Sequence, residues 1–586
     1  MPFSLDGSLS EELIDRIVQF VPLRPEPWLR YEPRSPKPES PKFSGLAALC
    51  LTNKKISRIA TPHLYSDIFL EYIEFGVGLR HLLPLTLHMW QSPSHAALVR
   101  SFSIRGSWDE KAAAPAPFLD RDKPEYKDHR INWPEHGDLH SIIRARVAEY
   151  AKDDEEATAW FEDVKNGRDE GAVLALLLAG LPKLRKLDLS PDYSDPNSYM
   201  LRIFQRLSLH KNRLHTSPGS DHPNCPTPFA SLTDVFMAGE DDKYPNQPDF
   251  FFGALALPAL RHLYTYRVGV EGQDAVHDIL AAIPPESSPV EFIEVRASKI
   301  YSPDLLRVLR IATPGSLKTF MYEIGCSWAW TPVQHEKILA ALGPHAPHLT
   351  ALALSHEDYY PYQDTQDHDE ETPCALQFTH FTALRQLKFA PVFVWGHDGL
   401  FSPPPEGTQG AAVTDYRAKL WRALPPALEE LWITHVRDLG ALGYGEQITG
   451  FVTRHLFTAL EEVLVMKARC FPGLTRLKLE GKIAVLEKWG VDIVAFMRLA
   501  DGYGVQVTLI STAGDVPYKG ESEEMRWGWD EDVRWNECIN NQGPPKTVFT
   551  YEKGEEGLEK RLEELVAPFE GTPVYCSGSR LAPAAR

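Results

Sequence analysis

A six-residue pattern, apolar at its first, fourth and sixth positions, recurs ten times along this chain. The copies are Val99/Phe102/Ile104, Leu184/Leu187/Leu189, Leu232/Val235/Met237, imperfectly Leu260/Leu263/Thr265, and Val290/Ile293/Val295. They continue as Leu317/Phe320/Tyr322, Leu349/Leu352/Leu354, Leu384/Leu387/Phe389, Leu428/Leu431/Ile433 and Leu474/Leu477/Leu479. The alternation closing each copy has the period of a strand with one face buried. Several copies follow a helix-like segment and a break: Asp304 to Ala312 before Pro314, Gln334 to Leu342 before Pro344, and Asp415 to Leu424 before Pro425. Each unit reads helix, turn, short strand. Such a unit cannot bury its apolar side alone, so neighbours must stack, with strands parallel because a helical crossover separates them.

The pattern resembles the leucine-rich repeat, Leu-x-x-Leu-x-Leu, in which strands line a concave face and helices the convex one. It departs from regular members by lacking the Asn that follows the strand, and by its uneven spacing, about 27 to 35 residues mid-array. The resemblance implies an α/β fold, an irregular solenoid with a parallel sheet. A coincidental α/β sheet is the alternative. The expected array covers residues 67–515, with polar insertions near 107–166 (holding an acidic helix from Arg144), 210–228 and 396–411. Residues 516–586 are expected to cap it, using Trp527, Trp529 and Trp535 and a helix carrying Leu558, Leu562 and Leu565.

Between the second and third apolar positions lies a residue that must point to the other face of its strand. In nine copies these are Asp188, Phe236, Tyr264, Glu294, Met321, Ala353, Lys388, Trp432 and Lys478. Four of the nine are Phe, Tyr, Met or Trp, and large apolar groups on an open concave face anchor interfaces. Phe236, Tyr264, Met321, Lys388, Trp432 and Lys478 are therefore the expected partner-binding positions. The alternative is that loops from the insertions fold over this face and bury them.

The first 66 residues differ. Leu9, Leu13, Ile17 and Val21 recur every four residues, with Ile14 and Val18 widening one helical face. Ser8 and Glu11 have capping-box spacing. Prolines at 22, 25, 27, 33, 36, 38 and 41 make the segment 22–42 a loop. Helices are expected again from Ser44 to Leu51 and from Lys54 to Ala60, the latter ending near Pro62. The stretch from Leu9 to Val18 resembles the start of an F-box, Leu-Pro-x-Glu-Ile/Leu followed by an apolar helix. The stretch from Leu46 to Tyr65, ending Ala60-Thr61-Pro62-His63-Leu64-Tyr65, resembles the second half found in many fungal F-box proteins, where it leads into the first strand of the following domain. The departures are Ser10, where the family prefers Pro, and the length of the Pro-rich loop.

This resemblance implies docking onto the small adaptor subunit of a cullin-RING ubiquitin ligase through Leu9, Ser10, Leu13, Ile17, Leu46 and Leu49. The downstream repeats would hold a protein substrate. Leu9, Leu13 and Ile17 are then expected to be partly exposed in the isolated chain. The other reading of these helices is a cap sealing the end of a repeat scaffold with no ligase connection.

Composition narrows the classes further. Hydrophobic residues make up 43% and charged residues 24%, so the chain can build cores. At 586 residues it exceeds what one core supports. A net charge of −19 opposes binding to nucleic acid, and basic residues occur only in short, scattered pairs. The seven cysteines, Cys50, Cys225, Cys326, Cys374, Cys470, Cys538 and Cys576, are too scattered for a zinc knuckle or a CxxC pair. With no N-x-[ST] acceptor and no basic-then-apolar N-terminus, an intracellular site, cytoplasmic or nuclear, is expected. The longest apolar run, Ala172 to Leu181, is short of the roughly 20 residues of a membrane span. The acidic stretch from Glu357 to Glu371 lacks EF-hand order, and Gly440, Gly443 and Gly445 do not form a phosphate loop. No catalytic motif is present, so the expectation is a binding protein without catalytic residues, metal or cofactor.

Overall fold

A computed structural model describes residues 10–19, 43–71, 78–105, 137–166, 170–189, 199–216, 228–238, 248–266, 268–269, 278–300, 302–325, 335–356, 377–395, 419–434, 446–481, 492–512 and 546–550. The chain divides into two compact units: Met1–Val333 with Gln363–Asp367, and Gln334–Tyr362 with His368–Arg586.

The first unit opens with three helices, α1 (Glu11–Gln19), α2 (Phe43–Cys50) and α3 (Lys54–Ser66), which lead directly into strand β1 (Asp67–Glu71). There follow α4 (Gly78–Gln91), α5 (Pro93–Ala96), β2 (Ser101–Arg105), α6 (Gly137–Tyr150), α7 (Asp154–Asn166), α8 (Glu170–Ala179) and β3 (Lys186–Leu189). The unit ends with α9 (Tyr199–Thr216), β4 (Asp234–Ala238), α10 (Pro248–Ala254), β5 (His262–Tyr266), α11 (Asp278–Ala282), β6 (Phe292–Ser298), α12 (Ser302–Ile311) and β7 (Thr319–Ile324). Strands β1 to β7 lie side by side in chain order, each parallel to the next.

The second unit contains α13 (His335–Leu342), β8 (Ala351–His356), β9 (Gln386–Phe389), α14 (Leu420–Ala423), β10 (Glu430–Ile433), α15 (Glu446–Cys470), β11 (Arg476–Gly481), α16 (Ile493–Gly502) and β12 (Gln506–Thr512). Strands β8 to β12 are again parallel and in order. A last strand, β13 (Lys546–Thr550), joins β12 antiparallel. All ten sequence copies end in a strand, and the α/β class with parallel strands holds within each unit.

The pattern places its residues in register. Phe102, Leu187, Val235, Leu263, Ile293 and Phe320 form one row across β2 to β7. Leu352, Leu387, Leu431, Leu477 and Val507 form the equivalent row across β8 to β12. Every member of both rows is buried. Each such side chain contributes roughly 1.5–3 kcal/mol on burial, and the ordering cost of its loops leaves the array stable only as a sum.

The main chain ties neighbouring units together just before each strand. The residue after the first apolar position carries a carbonyl that accepts two amides from the next unit. Arg100 O accepts from Arg185 N (2.8 Å) and Lys186 N (3.0 Å), and Arg185 O accepts from Thr233 N and Asp234 N (both 2.9 Å). The same fork recurs at Thr233, Arg261, Glu291, Thr350, Arg385 and Glu429. A carbonyl has two lone pairs and any residue type supplies one, so this position can be Arg, Thr or Glu without loss of register.

Four expectations are corrected. Residues 137–166 are not a polar insertion but two packed helices: Ile143, Val147, Trp160, Phe161 and Val164 are buried. Trp160 Nε1 donates to Ala172 O (3.0 Å) and its ring stacks on Tyr199 at 4.6 Å. The Ala172–Leu181 run lies largely in α8, whose every residue from Ala172 is buried, as an all-round apolar helix must be. Second, the expected loop at 210–228 begins as helix, since α9 runs to Thr216. Third, α3 does not stop at Pro62 but continues to Ser66. A proline there forfeits one backbone bond, while Leu64 packs on the helical core and His63 binds Asp15.

Fourth, three strands lie outside the ten copies: β1, which the resemblance of the Leu46–Tyr65 stretch had anticipated, β12 and the antiparallel β13. β12 follows Gly504, whose φ of +67° suits glycine and which stands where an apolar residue would be expected. β1 is the end of a copy, Tyr65/Ile68/Leu70, that begins inside α3. The segments 396–411 and 357–371, the glycines at 440–445, the tryptophans at 527–535 and the leucines at 558–565 lie outside the described residues.

Candidate functional site

The helical module is small, with a core of Ile14, Val18, Leu46, Ile56 and Ala60. Helix α1 is capped by Ser10, whose Oγ accepts from Leu13 N (3.3 Å); Ser8 lies outside the described residues. Ser10 thus satisfies an amide that the helix start leaves orphaned. The Glu12 backbone amide first, and the Ser10 hydroxyl second, hold the Glu12 carboxyl below its usual range. Asn53 caps α3 likewise, accepting from Ile56 N at 2.9 Å.

The apolar face of α1 is divided between two surroundings. Ile14 and Val18 point into the core, whereas Leu13 and Ile17 are each 48% exposed. They are four residues apart on one helix, so their side chains adjoin. Leu51, after α2, is 87% exposed. Helix α1 is held to α3 by Arg58 with Glu11 and by His63 Nε2 with Asp15 Oδ1 at 2.7 Å; exposed pairs of this kind contribute little to stability. Of the expected adaptor residues, Ser10, Leu13 and Ile17 are exposed and Leu49 is half-buried. Leu46 is fully buried, a correction, because it fills the core rather than facing outward. Leu9 lies outside the described residues.

The second face of the sheet is also corrected. It is not an open row. Tyr264, Glu294, Met321, Ala353, Lys388 and Trp432 are buried, Asp188, Phe236 and Lys478 partly so. A buried residue cannot contact a partner without rearrangement, so Met321, Lys388 and Trp432 do not form a ready-made anchor. Phe236 and Lys478 keep partial exposure.

What this face holds in the second unit is a charge cluster. Lys388 on β9, Trp432 on β10 and Lys478 on β11 are in register. The Lys388 ammonium sits 3.9 Å and the Lys478 ammonium 4.8 Å from the centre of the Trp432 ring. Lys478 Nζ is 2.9 Å from Glu430 Oε1, Arg476 Nε 2.6 Å from Glu430 Oε2, and Lys388 Nζ 3.5 Å from Glu480 Oε2. In the first unit Glu294 and Arg296, both buried, pair along β6. Charges leave water only when partnered, and these are. The arrangement is a packed polar layer rather than an array of reactive groups. Nothing in the sequence pattern announced it, since Glu430 and Glu480 lie outside the triplets.

Among the described residues, no three side chains are placed to hold a metal ion, and no helix is long and apolar enough to cross a membrane. No protein-family model matches the chain, and no curated protein is similar to it at a significant level.

Proposed function

We propose that this chain is a substrate-recognition subunit of a cullin-RING ubiquitin ligase. In this reading the N-terminal module is an F-box that binds the adaptor subunit and, through it, the cullin. The downstream leucine-rich-repeat solenoid takes a protein substrate, and the chain performs no chemistry of its own. The observation that carries the reading is the exposure of Leu13 and Ile17 beside a core filled by Ile14 and Val18. A three-helix module with so small a core gains from burying such a pair against a partner's groove. Purification of the tagged chain from native cells tests it: adaptor and cullin should co-elute, and Leu13→Asp should remove both.

A repeat scaffold whose first helices are only a cap is the second reading. It is favoured by the direct passage of α3 into β1, where Ser66 O accepts Arg100 N at 2.8 Å. On that reading the eluate contains neither adaptor nor cullin.

A further inference from the structure

Where the helical module meets the sheet, three rings form a stack. Tyr65 comes from the last turn of α3, His88 from α4 and His95 from α5. The Tyr65 ring lies 4.5 Å from that of His95 and 5.6 Å from that of His88, centre to centre, with planes 14° and 19° apart. Tyr65 Oη is 3.1 Å from His88 Nε2, and His88 Nε2 is 3.0 Å from His95 Nδ1. All three side chains are partly buried.

The contact between the two imidazoles constrains their protons. A hydrogen bond between two ring nitrogens needs one N–H and one lone pair. With His88 Nε2 as the acceptor, its single lone pair takes the N–H of His95 Nδ1, and the Tyr65 hydroxyl 3.1 Å away can only share it. A first proton fits, because His95 can carry it on its Nε2 and keep the bond. A second does not fit: His88 Nε2 then bears hydrogen as well, two N–H groups face each other at 3.0 Å, and two like charges share a partly buried site.

Among the described residues, no carboxylate figures in the electrostatics of Tyr65 or His95. Among the described residues the titratable groups facing the pair are Tyr65 and, behind it, Cys50 of α2. Asp67, next to α3, accepts from Ser66 Oγ, and Asp15 is engaged by His63. Burial first, and the neighbouring His88 second, hold His95 below the usual histidine range.

We propose that the Tyr65–His88–His95 stack is a proton-operated latch, which fixes the N-terminal helices to the start of the sheet and releases them when both imidazoles are protonated. The sign follows from proton binding. A latched state that binds fewer protons than the released one is favoured above the free histidine value of about 6.5 and is lost as pH falls below it. The inference does not depend on what α1 binds. It concerns the angle at which whatever α1 binds is presented to the repeats.

Hydrogen exchange on the full chain, read by mass spectrometry between pH 7.5 and 5 and corrected for intrinsic exchange rates, tests it. Segments 54–66 and 82–97 should exchange on the order of tenfold faster at the acid end, while 428–434 stays unchanged. His88→Gln and His95→Asn keep a hydrogen-bonding atom near the native nitrogen but do not titrate, and each should flatten the step. A step that persists in both variants overturns the latch. So does a wild-type step with its midpoint below about pH 5, the range of carboxylates, or no step at all; the wild-type reading decides even if the variants fold poorly.

Discussion

The Lys388 ammonium lies 3.9 Å from the centre of the Trp432 ring, and both residues are 2% exposed. Lys478 approaches the same ring, so the indole is flanked by two cations whose charges are answered by Glu480 and Glu430. Desolvated cation–π contacts contribute up to about 2 kcal/mol. Trp432→Ala should therefore cost roughly 3–5 kcal/mol, the large-to-small penalty of a buried aromatic. Urea unfolding that shows less than 1 kcal/mol would mean the ring is not packed as described.

Removing one charge of a buried pair should hurt more than removing both. Lys388→Met leaves Glu480 buried, at a cost of about 3–5 kcal/mol. Adding Glu480→Leu should recover most of that loss. A double-mutant cycle in denaturant measures the coupling, and additivity of the two losses would refute it.

On α1, neighbouring residues should behave oppositely. Leu13→Asp changes an exposed side chain and should alter the melting temperature by no more than about 1 °C. Ile14→Asp places a charge in the five-residue core and should unfold the module, read as protease cutting within residues 11–66. Equal melting losses for the two would show that α1 packs differently.

The amide forks predict a contrast at Arg185. Its side chain is exposed, whereas its amide donates to Arg100 O at 2.8 Å. Arg185→Ala should be neutral within about 0.5 kcal/mol. Arg185→Pro removes the donor and should cost several times that. Similar unfolding midpoints for the two variants would refute a backbone role.

Gly253 offers a test of close packing. A Cβ there would come within 2.7 Å of Phe204 Cβ, and Phe204 is fully buried. Gly253→Ala should cost about 1–3 kcal/mol through overpacking. Thermal melts with no loss would show that α9 and α10 can separate.

The amino-acid sequence by itself determined the ten strand positions and their parallel sense. Three apolar positions per unit, repeated, leave a stacked sheet as the one way to bury Leu187, Leu263 or Leu431. It also marked the apolar face of α1. It could not show that Ile14 and Val18 are inside while Leu13 and Ile17 are outside, because a stripe that wide has two edges and only the position of α3 selects between them. Period-two alternation likewise says that Met321, Lys388 and Trp432 face away from the leucine row, but not whether that side is covered. Only the tertiary structure brings Glu430 and Glu480 to the two lysines that flank Trp432. The same holds for residues 137–166: their charged surface reads as an insertion, and Trp160 becomes core only because α8 and Tyr199 are folded against it. Local pattern fixes which face a residue takes, whereas burial is decided by what the rest of the chain places over that face.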